Sequence, residues 1–157
     1  MIDDSRDHAV TFRIGIKDDI DTIAAFNVAM AHETEDIELD IDRVRKGVTN
    51  LVEHPERGFY TVAVASDRVV GCCLVTSEWS DWRNGMFWWI QSVYVIPEFR
   101  RKGVFTGLYG HVKDLAEKDG TVCGFRLYVE RENTAAQRTY KSMGMKETYY
   151  RMFEEEF

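Results

Sequence analysis

Proline is scarce in this chain, with 2 residues in 157, while 45% of residues are hydrophobic and 30% are charged. A disordered chain has too few apolar residues to bury; this one has enough for one domain with a sizeable core. Basic residues are in the minority. Twenty Lys and Arg stand against 27 Asp and Glu, a net charge of -7. That surface does not invite nucleic acid or anionic lipid, and a cationic or amine-bearing partner suits it better. No apolar run is long enough to span a bilayer, so no membrane partner is expected. The start, Met1 to Ser5, is acidic and polar and lacks the basic and apolar regions of a signal peptide. The four histidines, His8, His32, His54 and His111, show no ligand spacing, and no metal is assigned. Cysteines number only three, without zinc spacing. Cys72 and Cys73 are adjacent in an apolar run and Cys123 opens another, so all three read as buried free thiols. That favours a reducing, cytoplasmic compartment.

There is no internal repeat, low-complexity tract or linker. Residues 1–9 read as a flexible tail and 10–157 as a single domain. Val10 to Ile16 alternates as a first strand. Asp18 can cap a helix with Ile20, Ile23, Phe26 and Met30 on its apolar side. Ile41, Val44, Val48, Leu51 and Val52 share one face of a second helix, which Pro55 follows. Glu33-Thr34-Glu35-Asp36 reads as an acidic connector between the two. Three strands are expected at Phe59 to Ala65, Val69 to Thr76 and Met86 to Val95. The first pair is short-linked enough for a hairpin, and the link from Ser77 to Gly85 carries Trp79 and Trp82. A helix follows from about Gly103 to Glu117, with Phe105, Leu108, Val112 and Leu115 on one face. Phe125 to Val129 reads as a strand, Asn133 to Met143 as a helix stopped by Gly144, and Met145 to Phe153 as a last strand. The order β-α-α-β-β-β-α-β-α-β implies an α/β fold with a mixed sheet. In it the helix from Gly103 returns the chain so that the strand at Phe125 runs parallel to that at Met86.

The most informative segment is Val95-Ile96-Pro97-Glu98-Phe99-Arg100-Arg101-Lys102-Gly103-Val104-Phe105-Thr106, where a strand passes through a basic turn into a helix. First-turn amides have no intrahelical acceptor, and the helix dipole makes that end positive. Such amides hold phosphate, and a glycine lets it come close. Arg100, Arg101 and Lys102 add local positive charge in an acidic chain. An anionic ligand fits here; a solvated basic turn is the plainer alternative.

These residues resemble the pyrophosphate loop of the GNAT superfamily of N-acetyltransferases. Its pattern is Arg or Gln, two residues, Gly, one residue, then Gly or Ala. Arg100 and Gly103 match, and Phe105 departs from the third position. A second match lies in Leu127-Tyr128-Val129-Glu130-Arg131-Glu132-Asn133, with Ala136, Tyr140 and Gly144 where the family places Ala, Tyr and Gly. On a helix, Asn133, Ala136 and Tyr140 fall within about 60° of one another, a spacing that an amphipathic helix with a buried Tyr also satisfies. The resemblance implies the acyl-CoA N-acyltransferase fold with acetyl-CoA as cosubstrate.

It also implies roles. Val93, Tyr94 and Val95 pair with the pantetheine arm where two parallel strands splay, and an N–H near Val93 polarises the thioester carbonyl. Amides of Lys102 to Thr106 hold the pyrophosphate. Asn133 orients the arm beside small Ala136, and Tyr140 protonates the departing thiolate. Some relatives carry a basic Glu on the strand before the loop. Register from Gly103 puts Trp89 there, which cannot serve. Gln91 can hold a water. Glu33, Glu35, Glu78 and Asp81 are connector carboxylates that either line the acceptor side or are simply solvated. Trp79 and Trp82 either clamp an acceptor or cover the sheet edge. The expected function is transfer of an acetyl group to a primary amine, on a small molecule or peptide, by direct attack in a ternary complex. The alternative is a non-catalytic acyl-CoA-binding or sensory domain. A vacant sheet edge near the C-terminus would suit a homodimer.

Overall fold

A computed structural model describes residues 9–157. The acidic start, His8 and all of the expected tail except Ala9 lie outside the described residues. The described residues up to Leu127 form one compact unit and Tyr128–Phe157 a second.

In the first unit the strands are β1 (Thr11–Ile14), β2 (Phe59–Ala65), β3 (Arg68–Ser80), β4 (Gly85–Val95) and β5 (Val122–Arg126). They lie in the order β1-β2-β3-β4-β5. The first three pairings are antiparallel and β4 with β5 is parallel, as the connectivity required. The helices are α1 (Ile20–Glu35), α2 (Ile41–Glu53) and α3 (Val104–Asp119).

Side-chain pairs assign the two faces of the sheet. Adjacent strand residues point to opposite sides. Tyr60 meets α1, since Asn27 donates to its hydroxyl at 3.1 Å. Phe59 therefore faces the other way, where its ring meets Trp88, Trp88 stacks on Phe125, and Phe125 meets Tyr109 of α3. So α1 covers one face and α3 the other. The α3 stripe is Val104, Leu108, Val112 and Ala116, all buried. Each such fully buried Val or Leu is worth about 1.5–3 kcal/mol. A side chain at Gly107 would collide with the Phe12 ring; the glycine is what lets β1 pack against α3.

Several boundaries differ from expectation. Asp19, not Asp18, stands at the N-cap of α1, and its side chain accepts no amide of that helix. Its buried carboxylate accepts Arg13 at 2.7 and 3.0 Å and the Ile16 amide at 2.8 Å. Burial raises its pKa, but these bonds outweigh that and leave it below the usual carboxylate range. The expected acidic connector is the last turn of α1, closed by Asp36 in the left-handed region at φ 53. β3 runs on to Ser80, so Glu78 and Trp79 are strand residues and only residues 81–84 turn. β5 sits three residues earlier than expected, fixed by its parallel register with Met86 opposite Val122. Phe105 is only half-buried, because Val104 takes the inward position. Cys72 and Cys73 are buried free thiols, but Cys123 is exposed.

In the second unit, α4 (Thr134–Ser142) starts at Asn133, whose side chain accepts the Ala136 amide at 3.1 Å, and Gly144 follows it at φ 92. Element order matches expectation as far as α4. Residues 145–157 carry no strand; a strand exists only where a neighbouring edge accepts its hydrogen bonds, and the second unit holds no other strand to offer one. The Tyr-rich run leaves Tyr149, Tyr150 and Phe153 exposed.

Candidate functional site

The parallel ladder between β4 and β5 ends at Trp89 opposite Arg126. β4 continues to Val95, paired among the described residues with β3 alone, through Ser92–Leu74, Val93–Cys73, Tyr94–Cys72 and Val95–Gly71. Among the described residues no strand pairs with the β5 side of β4 beyond Trp89, which leaves that edge open toward Val95. Val93, Tyr94 and Val95 all lie on it.

A bulge sits in the same stretch. Leu74 pairs with Ser92 but Val75 with Ile90, so β4 spends the extra residue Gln91 on one step of β3. The consequence is visible in the side chains. Trp88 lies on the α3 face, whereas Tyr94, an even number of residues later, meets Phe26 of α1 with ring centroids 5.1 Å apart. The bulge inverts the facing of β4 halfway along the open edge. Gln91 donates to the Thr76 hydroxyl at 2.9 Å.

Beyond Val95 the chain makes a short turn over Pro97–Phe99, then places Arg101 at φ 61 and Gly103 at φ 79 before α3 begins. The first helical bond runs from the Gly107 amide to the Gly103 carbonyl, 2.9 Å. Helix geometry leaves the amides before it without intrahelical acceptors. Buried Val104 anchors this first turn to the core, while Thr106 is exposed. The Lys102 ammonium lies 5.5 Å over the Phe99 ring. The open β4 edge thus leads into a helix N-terminus flanked by cations, a geometry that holds an extended chain ending in an anion.

Arg100 is engaged by protein groups. Its guanidinium donates to the Val95 carbonyl at 2.8 Å and to Glu33 at 2.7 Å, and it lies 5.4 Å over the Tyr94 ring. The Tyr94 hydroxyl donates to the other Glu33 oxygen at 3.0 Å. The Arg100 bond, assisted by Tyr94, holds the Glu33 carboxyl below its ordinary pKa; burial, then Glu33, raises that of Tyr94. Glu33 therefore ties the end of α1 to the loop. Glu35, two residues on, is exposed.

In the second unit, Ala136 and Tyr140 are half-buried and Asn133 is exposed on α4.

On the far hairpin, Trp79 is exposed and Trp82, at the turn, is 88% exposed. The sequence places Glu78 in a connector and singles out nothing at Arg126. The structure joins them: Glu78 Oε1 pairs with Arg126, and Glu78 Oε2 accepts the Trp89 indole N–H at 3.0 Å. The Arg126 guanidinium lies 3.8 Å above the Phe87 ring. Strand parity, once the ends of β3 and β5 are known, is the signal that finds this cluster. Among the described residues no group of three or more His, Cys, Asp or Glu is arranged to hold a metal ion.

The profile of the Acetyltransferase (GNAT) family matches residues 20–145. The crystal structure of a possible acetyltransferase from Clostridium difficile 630 is 49% identical, with a TM-score of 0.88 over 94% of this chain and 97% of that one. An aminoglycoside N-acetyltransferase solved in complex with CoA shares the fold at 16% identity and a TM-score of 0.78, over 97% of both chains. A probable N-acetyltransferase of Drosophila melanogaster is 31% identical over 100 residues, 59% of this chain and 52% of that protein. The chain spans about half the length of the curated relatives it matches.

Proposed function

We propose that this chain, which belongs to the acetyltransferase (GNAT) family, transfers an acetyl group from acetyl-CoA to a primary amine by direct attack in a ternary complex. The observation that carries the reading is the β4 edge left open by β5 after Trp89 and leading into the α3 N-terminus. An extended pantetheine arm needs backbone partners along one strand edge, and a pyrophosphate needs amides and positive charge at its end. Both needs are met in sequence by Val93 to Val95 and by Arg101 to Thr106.

In this reading the backbone at Val93 donates to the acyl carbonyl as negative charge grows there. Gly103 admits the phosphates to the first-turn amides, and Arg100 holds the turn in shape through Val95 and Glu33. Asn133 and Ala136 line the arm, and the Tyr140 hydroxyl donates its proton to the departing sulfur. Residues 10–157 act as one catalytic domain. The acceptor side is lined by Gln91, Trp79 and Trp82. The buried thiols Cys72 and Cys73 support a reducing, cytoplasmic setting.

The test is an acetylation screen over an amine library, read by release of free thiol, with a thermal shift by acetyl-CoA as a separate binding measurement. Turnover with at least one amine is expected. A thermal shift with no turnover on any amine would favour the binding or sensory reading; no shift at millimolar acetyl-CoA would remove both.

A further inference from the structure

We propose that Glu78 is the carboxylate that receives the acceptor amine and takes its proton, a residue supplied by β3 in place of any carboxylate on β4. The inference rests on the transferase reading above and assigns it a base.

The position follows from strand geometry. Arg126 on β5 and Glu78 on β3 flank β4, yet their side chains meet. They can do so only by passing over β4, and the Arg126 guanidinium lies on the Phe87 ring of that strand. The Glu78 head therefore lies above β4. It is tied to Trp89, the last β4 residue paired to β5, where the open edge begins. It lies on the face away from α3, because Phe125, next to Arg126, points to α3. Thr76, which accepts from Gln91, shares that face by strand parity, so the polar groups continue from Glu78 to the bulge.

The carboxylate is held but not used up. Arg126 takes one oxygen and the Trp89 indole the other, and each carboxylate oxygen has two lone pairs. The side chain is 42% exposed, so an incoming ammonium can reach it. Trp89 has no basic group, but its N–H aims the neighbouring carboxylate.

The proton balance is simple. The acceptor arrives as R–NH3+ and gives one proton to Glu78, directly or through a water, which later releases it to solvent. The neutral nitrogen forms the N–C bond with the acyl carbon, and the C–S bond breaks. The nitrogen loses its second proton to water, and the sulfur leaves as a thiol, protonated by Tyr140, which regains its proton from solvent.

The experiment uses the full chain and any amine found by the thiol-release screen. A carboxylate that accepts the proton lets the ammonium form react, so wild-type kcat/KM should be flat across the neutral range, up to the pKa of the acceptor amine. Glu78→Gln should lower kcat/KM about 10²–10⁴-fold at pH 7, and its log kcat/KM should climb one unit per pH unit as free amine appears. Its thermal shift by acetyl-CoA should equal that of wild type. Glu78→Asp, which keeps the carboxylate, should keep the flat profile at a reduced rate. A Glu78→Gln profile parallel to wild type, whether lower or equal, would overturn the proposal, because a structural role has no pH signature. Absence of wild-type turnover on every amine would instead bring down the transferase reading, and this assignment with it.

Discussion

Arg100 and Glu33, far apart in sequence, meet through a 2.7 Å charge-assisted bond that joins the end of α1 to the turn before α3. A residue expected to face acceptor and a residue expected to face cofactor thus form one pair.

Glu33→Gln should therefore act on the cofactor side. The KM for acetyl-CoA should rise several-fold, with the acceptor KM changed less. The folded-state pKa of Glu33 is depressed, so its contribution to stability is present above the ordinary glutamate range and is lost as pH falls through the lower folded value. The side chain is 39% exposed, so solvent screening limits that contribution to about 1 kcal/mol or less. Melting temperatures of wild type and variant should differ slightly at pH 7 and converge as pH falls below the ordinary glutamate range. A gap that widens in acid would contradict the pairing.

Gly103 has open space where a side chain would point, but its φ is 79. The obstacle to substitution is the left-handed backbone rather than a clash. Gly103→Val should cost about 1–2 kcal/mol of stability and sharply reduce the melting-temperature rise given by acetyl-CoA. Arg101→Ala should reduce that rise much less, since backbone amides provide the main contacts in this reading.

Tyr140→Phe removes one hydroxyl and keeps the ring. The variant should fold and show the wild-type thermal shift with acetyl-CoA. Its turnover should fall about 10²–10⁴-fold, the usual range for a general acid. Phe variants of Tyr128, Tyr149 and Tyr150 should be milder. A wild-type rate in Tyr140→Phe would make water or another group the proton donor.

Trp82→Ala should leave stability within about 0.5 kcal/mol, because the side chain is almost fully exposed at the hairpin turn. Acceptor kinetics should change while acetyl-CoA affinity stays constant. Trp88→Ala gives the contrast: that ring is buried between Phe59 and Phe125, and its loss should cost about 3–5 kcal/mol. Denaturant titrations of the two variants check the difference.

Much of this was legible in the sequence because it was local. Turn chemistry marked Gly103 and Gly144, and periodicity marked the helices. What escaped depended on neighbours. An acidic stretch at a helix C-terminus opposes the dipole, so Glu33 to Asp36 read as a connector; only Arg100, distant in the chain, makes Glu33 welcome there. The ends of β3 and β5 depend on the strands beside them, so the sequence alone places Glu78 in a link and gives Arg126 no partner. Phe105 and Val104 compete for one inward position, and helix rotation against the sheet decides it. The aromatic run after Gly144 has the composition of a strand without a sheet edge in its own unit to complete it.

The adjacent thiols offer a different kind of access to the molecule. Cys72 pairs with Tyr94 and so lies under α1, while Cys73 points the other way, under α3. Both are sealed, and burial pushes each thiol up to about 12. A thiol reagent must wait for the layer above to lift. With the exposed Cys123 removed, single-thiol proteins keeping only Cys72 or only Cys73 would time the opening of each layer from neighbouring positions on the chain. Equal labelling rates mean that the two layers leave the sheet in one cooperative step; unequal rates name the layer that peels away first.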